Sequence, residues 1–172
     1  MGLENEMPLS VTAAESRVAP PNIEKENDSY RVPMGDATVI DNEAILSVKH
    51  RNFEANPEKL AAVIAERDEY LPMVQPMLSK YPTLMPLYDE LKDIHGKLWN
   101  IEDRKRAIEQ GRGEKEMVEN LLKSENIELL REYLTLSRQV SLYNDRRASL
   151  KKQMNQITGS KIVEVKSHTT AQ

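Results

Sequence analysis

The strongest pattern in the chain is a row of positions, fifteen of seventeen of them apolar, that recur alternately three and four residues apart in two long stretches. The first stretch comprises Leu84, Leu87, Leu91, Ile94, Leu98, Ile101, Lys105 and Ile108, and the second comprises Leu129, Tyr133, Leu136, Val140, Tyr143, Arg147, Leu150, Met154 and Ile157. This spacing is typical of a coiled-coil seam. It predicts two long helices, over about 84–109 and 125–158, that pack as an antiparallel hairpin across a break at "QGRG" (110–113).

Two shorter helical patterns precede the hairpin. The first has Asp36 as its predicted N-cap and a stripe at helical spacing formed by Val39, Ile40, Ala44, Ile45 and Val48. The second begins with Asn56 as cap and Pro57 at the first helical position. Prolines then follow at positions 72, 76 and 82, and because proline breaks helix hydrogen bonding we expect short pieces there.

The two ends of the chain lack such patterns. Residues 1–31 are rich in Pro, Glu, Asn and Ser without an apolar period, which predicts a disordered leader, or else an arm that orders against a partner. A helical domain is expected over 32–168, with "KIVEVK" (161–166) as a short strand or extended segment and 169–172 as a tail. The predicted fold is therefore all-α, with a long antiparallel coiled-coil hairpin, shorter N-terminal helices and a disordered leader.

Composition narrows the class of function. Hydrophobic residues make up 39% and aromatic residues 5%, which suits helices packed along a stripe better than a thick core. The net charge of −4, with bases and acids interspersed, argues against nucleic-acid binding. No cysteine, apolar span of about 18 residues or signal peptide occurs, so a cytoplasmic protein without membrane association is expected. Phosphate-loop, GxGxxG and HExxH motifs are absent, and we predict no cofactor and no metal.

Arg147 is the most unusual residue of the seam, because it stands where a leucine is expected. Such an arginine either extends out of the seam or pairs with a carboxylate to set the register, or it holds an anionic ligand or a partner's carboxylate. If Leu84 faces Ile157, Arg147 lies level with His95. With Asp103 or Asp145 as its expected partner, substitution of Arg147 by leucine is predicted to leave stability equal or higher.

Two blocks of the sequence resemble a small helical family of unknown function, found in bacteria, notably marine ones, and in phages. The blocks are "LKDIHGKLWNIEDRKR" (91–106) and "VSLYNDRRASLKKQMNQITGSKIVEVKSH" (140–168), and "VIDNEAILSVK" (39–49) matches an earlier element. The resemblance covers about 32–168, departs from the family in a longer hairpin connection and in "VEVKS", and implies no activity. It points to a site formed by Asp41, Lys49, Trp99, Glu102, Asp103, Asn144, Asp145, Arg147, Lys151 and Asn155.

Two classes of function remain open. The first is a non-catalytic helical interaction or assembly protein of phage or bacterial origin, located in the cytoplasm or in a virion, that binds a protein partner or itself. Apolar positions outside the seam would form its contact surface: Tyr88, Leu122, Leu130, Leu134 and Leu142. The second is a small-ligand binder or an enzyme, linked to sugar or surface-polysaccharide metabolism, that uses a polar cluster of Asp41, Lys49, Glu102, Asn144, Asp145 and Arg147. A cavity at these residues would favour the second class, and a solid seam the first.

Overall fold

A computed structural model of the chain describes residues 25–26, 29–30 and 33–162. The predictions for the leader, for the 169–172 tail and for most of "KIVEVK" fall outside these residues, apart from two short strands. β1 (Lys25–Glu26) and β2 (Ser29–Tyr30) pair antiparallel within a first unit, Met1–Val32. The second unit, Pro33–Gln172, contains all the helices described below.

The described part of the second unit is helical throughout, which confirms the predicted all-α class. Its helices are α1 (Asp36–Asn52), α2 (Pro57–Lys80), α3 (Leu84–Glu109), α4 (Glu114–Leu121) and α5 (Ile127–Thr158), with a 3-10 turn at Ser124–Asn126. None of them carries a stretch that is long and apolar enough to cross a membrane.

Helix α1 forms the centre of this unit, because it packs against α2, α3 and α5. Its buried residues therefore lie on several faces and not along one stripe: Ala37, Val39, Ile40, Asp41, Glu43, Ala44, Leu46 and Val48. The core that surrounds them includes Leu84, Leu91 and Ile94 of α3 and Leu150 and Met154 of α5. A helix enclosed in this way has to bury any polar side chain on its inner faces, and Asp41 and Glu43 are two such side chains.

The N-terminus of α1 is capped by the end of α5, and the prediction of Asp36 as N-cap is wrong. Gly35 occupies the cap position, the backbone N–H of Ala37 donates to Oδ1 of Asn155 at 3.0 Å, and that of Asp36 donates to Oγ of Ser160 at 3.3 Å. A side chain at Gly35 would collide with the carbonyl of Ile162, which explains the glycine. The first N–H groups of a helix need partners, and here a distant segment supplies them.

Removal of the Asn155 side chain tests this contact. We expect Asn155→Ala to lower the free energy of unfolding by about 1 kcal/mol, as loss of an N-cap does elsewhere. Urea denaturation measures the change, and Gln156→Ala, an exposed position on the same turn, serves as the control. An equal effect of both substitutions would show that the contact contributes nothing beyond helix propensity.

Helix α2 starts as predicted, with the Asn56 side chain accepting from the Lys59 N–H at 3.1 Å and Pro57 in the first turn. The predicted break at Pro72 and Pro76 is wrong, since α2 continues through both to Lys80. Both prolines are exposed, four residues apart on one side of the helix, while Val74 is buried. The carbonyl groups that lose their helical partners therefore face water, which can satisfy them.

Helices α3 and α5 run in opposite directions. Glu90 near the start of α3 binds Arg146, whereas Arg104 near its end binds Glu132. Burial along α5 is uneven. Its buried residues all lie towards its C-terminal end: Leu150, Lys151, Met154 and Asn155. The prediction that Tyr88 belongs to an outer apolar surface is wrong, because its side chain is buried in the core.

Candidate functional site

A buried carboxylate, Asp41 of α1, lies at the junction of α1, α3 and α5. Its side chain is about 2% exposed and receives hydrogen bonds from both neighbouring helices. From α3, Nε2 of His95 lies 2.8 Å from Oδ1. From α5, Nε and Nη2 of Arg147 donate at 2.9 and 2.8 Å in a two-pronged pair, and Nζ of Lys151 lies 3.6 Å away. The carboxylate thus joins three helices through one side chain.

The environment of Asp41 favours its ionised form. Burial acts to raise the pKa of this carboxyl, but the hydrogen bonds from His95 and Arg147 and their charges outweigh burial and hold the pKa well below its usual range. An ionised carboxylate only accepts hydrogen bonds, so Nε2 of His95 is the ring nitrogen that carries a proton. The other ring nitrogen of His95, Nδ1, is buried and has no hydrogen-bond partner in the part of the chain that the structure describes.

The structure brings four of the sequence-predicted site residues together. Asp41, Arg147 and Lys151 form the group just described, and Nη1 of Arg147 also donates to Oδ1 of Asn144 at 3.3 Å. A fifth position that the resemblance implied, Asn155, is the cap of α1 and not part of this group. This convergence explains why an arginine stands where the spacing predicts a leucine: its partner lies on α1 and not on α3.

The other predicted site residues lie elsewhere. Trp99 and Glu102 line a cavity beside Arg147. Asp103 is exposed and its nearest cation is Arg106 at 3.5 Å, so the prediction that it could be the partner of Arg147 is wrong. Lys49 is half-buried in the last turn of α1, and Asp145 is half-buried on α5.

A second buried carboxylate, Glu43, was not identified from the sequence. It is fully buried, accepts a hydrogen bond from Nε of Arg67 at 2.8 Å, and accepts another from the hydroxyl of Tyr88. Burial and the hydrogen bond to Glu43 raise the pKa of Tyr88 above its usual value. The sequence feature that could have identified Glu43 as buried is its position within the apolar stripe of α1, between Ile40 and Ala44. This group ties α1 to α2 and α3, as the Asp41 group ties it to α3 and α5.

A cavity of about 230 Å³ opens next to the Asp41 group. It is lined by Ile45 of α1, by His95, Leu98, Trp99, Glu102 and Arg106 of α3, and by Arg147 of α5. The rings of Trp99 and of Phe53, the residue that follows α1, make a nearly perpendicular contact with 5.4 Å between their centroids. His95 was named from the sequence only for its level with Arg147, and its contact with Asp41 could not be inferred without the position of α1.

A larger groove of about 500 Å³ lies on another side of α1 and α3, and Lys92 and Lys97 are among its lining residues. Each of these cations already binds a neighbouring carboxylate on α3, Lys92 with Asp89 at 2.8 Å and Lys97 with Asp93 at 2.6 Å. Its lining also includes Arg51, so three cations and the two carboxylates Asp89 and Asp93 face this groove, and two of the cations are already paired.

No cluster of three or more histidine, aspartate or glutamate residues within 25–26, 29–30 and 33–162 could hold a metal ion. The candidate site consists of the ion group around Asp41 and the small cavity beside it. Comparison of the chain with models of protein families, with curated proteins and with solved structures gave no match.

Proposed function

We propose that this protein is a non-catalytic assembly protein that associates with a second copy of itself through the outer side of α4 and α5. The observation that carries the proposal is the burial along α5. From Ile127 to Ser149 no residue is buried, although this part of the helix contains five leucines, two tyrosines, an isoleucine and a valine. Two packed helices cannot cover apolar side chains on all sides, so this part of the chain presents apolar area that a partner could cover.

The large exposed side chains of this region define what we call the outer row. It consists of Val118 and Leu122 at 44% and 69% exposure, and Ile127, Leu134 and Leu142 at 45%, 59% and 43%. Ile127 and Leu134 are seven residues apart, and half-buried Leu130 lies between them at the same helical spacing. Three of the residues predicted from the sequence to form a contact surface, Leu122, Leu134 and Leu142, are thus exposed together with Val118 and Ile127.

The charges beside the outer row favour a second copy over an unrelated protein. Exposed Glu128, which also binds Arg131 of the same helix at 2.6 Å, lies towards one end of the row and exposed Arg138 towards the other. When two copies of α5 cross antiparallel near Tyr133, Glu128 of each copy meets Arg138 of the other. A twofold axis makes the same patch complementary to itself, which is the commonest symmetry of soluble oligomers. Since exposed ion pairs contribute little affinity, these two would mainly direct the orientation of the two copies.

The predicted coiled-coil packing of α3 and α5 belongs to this proposal, because a second hairpin would complete the heptad rows as a four-helix arrangement. In this proposal the Asp41 group has a structural role in the core, because it fixes how α1 packs against α3 and α5. The resemblance to a bacterial and phage family of unknown function is compatible with an assembly role and adds no activity to it.

Light scattering over a concentration series tests the proposal. We expect the full chain to have twice its monomer mass of 19.7 kDa at high concentration. Leu134→Lys should weaken the dimer at least about tenfold, because it places a charge at the centre of the interface. Met85→Lys is the matched control, since Met85 of α3 is an apolar residue of similar exposure, 45%, outside the outer row. A monomer at every concentration, or equal dissociation by both variants, would refute the proposal.

A further inference from the structure

Helix α3 contains a glycine that the packing of the chain does not require. Gly96 lies near the middle of α3 and is the only glycine inside a helix in the part of the chain that the structure describes. Its φ is not positive, and a Cβ atom placed on it would meet no side chain and no neighbouring element within 4 Å. Glycine disfavours a helix interior more than any residue except proline, so alanine would fit here and would favour the helix. The missing side chain therefore indicates that a group from outside the chain approaches α3 at this point.

Gly96 belongs to the lining of the groove of about 500 Å³ between α1 and α3. This volume lies within the range of roughly 300–1,000 Å³ that is usual for small-molecule sites. Lys92, Gly96 and Asn100 are spaced four residues apart and therefore lie along one side of α3. A side chain in the middle of this row would take up part of the groove, whereas glycine leaves the helix backbone accessible to a bound molecule.

The groove has an excess of positive charge. Its lining contains three cations and two carboxylates: Arg51, Lys92 and Lys97, with Asp89 and Asp93. Each lysine pairs with one of the carboxylates, at 2.8 and 2.6 Å. Arg51 is exposed in the last turn of α1 and makes no ion pair with any residue that the structure describes. Its guanidinium is thus available to a bound anion, and it matches a phosphate in two-pronged geometry.

The other polar groups of the lining suit hydroxyl groups. A hydroxyl donates to a carboxylate such as Asp93 and accepts from an ammonium such as Lys97 or from the amide of Asn100. The side chains of Lys97 and Asp93 are 50% and 57% exposed. An ion pair in water contributes little, so a ligand can bond to these two groups without a large loss elsewhere.

We propose that this groove binds a small phosphate monoester whose carbon skeleton carries several hydroxyl groups. The phosphate binds Arg51, and the hydroxyl groups bind Lys97, Asp93 and Asn100. A phosphate monoester carries about two negative charges and offers three acceptor oxygens, which suits a groove with three cations better than a carboxylate does. The molecule lies against the backbone of α3 at Gly96. The proposal does not depend on the assembly role, because it uses α1 and α3 and no residue of the outer row.

Nuclear magnetic resonance of the full-length protein, labelled with nitrogen-15, tests the site directly. The chain has only six glycines, so the amide signal of Gly96 is readily followed. The probes are glucose 6-phosphate, glycerol 3-phosphate, glucose and inorganic phosphate. We expect a saturable shift of the Gly96 signal with glucose 6-phosphate, at an affinity at least about tenfold higher than for glucose or inorganic phosphate. The amide of Gly35, at the opposite end of α1 from Arg51, should not shift.

The four probes also define how the proposal fails. Absence of a saturable shift with both phosphate monoesters would overturn it. An equal affinity for inorganic phosphate would show that the cations attract any anion, which would overturn it as well.

Substitution of Gly96 separates binding from folding, because the two effects should be opposite. Gly96→Ala should raise the midpoint of urea denaturation, since alanine favours the helix. By isothermal titration calorimetry it should weaken binding of glucose 6-phosphate at least about fivefold, because the methyl group keeps the ligand away from the backbone. A lower midpoint would show that the fold itself needs the glycine, and an unchanged affinity would show that no ligand needs it. Either result would refute the proposal.

A pair of arginine variants separates the site from general charge effects. Arg51→Gln should weaken binding of glucose 6-phosphate at least about fivefold. Arg104→Gln makes the same charge change on α3 outside the groove, where the side chain binds Glu132, and should leave binding unchanged. An equal loss in both variants would mean that only the net charge of the chain attracts the ligand, which contradicts a site at Arg51.

Discussion

Asp41→Ala is expected to lower the free energy of unfolding by about 3–5 kcal/mol, the cost of removing one partner from a buried ion pair. The substitution would remove the buried carboxylate that both Arg147 and Lys151 face. It would also leave Nε2 of His95 without its acceptor. Urea denaturation followed by circular dichroism measures the change. Asp103→Ala, at an exposed carboxylate, should stay within about 0.5 kcal/mol of the unsubstituted chain.

The pH dependence of the free energy of unfolding provides a control on this result. The pKa of Asp41 is held well below its usual value in the folded chain, whereas a free aspartate has a pKa of about 3.9. The contribution of the ionised carboxylate is therefore present above this pH and is lost as pH falls towards the folded-state pKa. The stability difference between the unsubstituted chain and Asp41→Ala should shrink by roughly 1 kcal/mol from pH 5 to pH 3. A difference that stays constant would mean that Asp41 acts through packing.

Glu43→Ala is expected to cost about 2–4 kcal/mol, because it leaves the buried hydroxyl of Tyr88 without its acceptor and opens a space beside α1. The effect should be smaller than for Asp41, since the Arg67 side chain is 28% exposed and can turn towards water once its partner is gone. The same urea experiment measures it.

Tyr88→Phe separates the parts of this group. It removes the hydroxyl but keeps the ring and the Arg67 contact, so a loss of roughly 1–2 kcal/mol is expected. If Tyr88→Phe cost as much as Glu43→Ala, the hydroxyl bond would account for the whole contribution of Glu43, and the pair with Arg67 would add nothing to stability.

The helical class could be predicted from the sequence because periodicity reports which residues share a helix face. The heptad rows lie within α3 and α5, and the Asn56 cap of α2 was found from residue type and order. The predicted break at Pro72 and Pro76 was wrong because helix propensity takes no account of the side of the helix on which a residue lies. Exposed prolines inside a long helix lose hydrogen bonds that water replaces, and packing of the opposite side keeps the helix intact.

The polar residues of the core could be named from the sequence more easily than their partners. Arg147 was recognised as unusual, but the carboxylate that it binds lies on α1, 106 residues away. The spacing of residues within one helix does not predict a partner at that distance in sequence. This geometry reverses one expectation: Arg147→Leu would take away the principal partner of Asp41, so we now expect a loss of stability and not a gain. Tyr88 was assigned to the outside because it falls off the heptad row, although it faces a third helix.

The capping of α1 by the end of α5 has a consequence for biosynthesis. The hydrogen bonds from Ala37 to Asn155 and from Asp36 to Ser160 span 118 and 124 residues of chain. Contacts of such sequence separation form late, because a long loop must close before they contribute. A ribosome makes α1 first among the helices, yet the side chains that cap α1 arrive only after α5 has left the exit tunnel. α2 and α3 are synthesised earlier and can cover their sides of α1, whereas the side that packs against α5 stays uncovered until α5 emerges. This interval is when the chain is most prone to aggregate or to engage a chaperone.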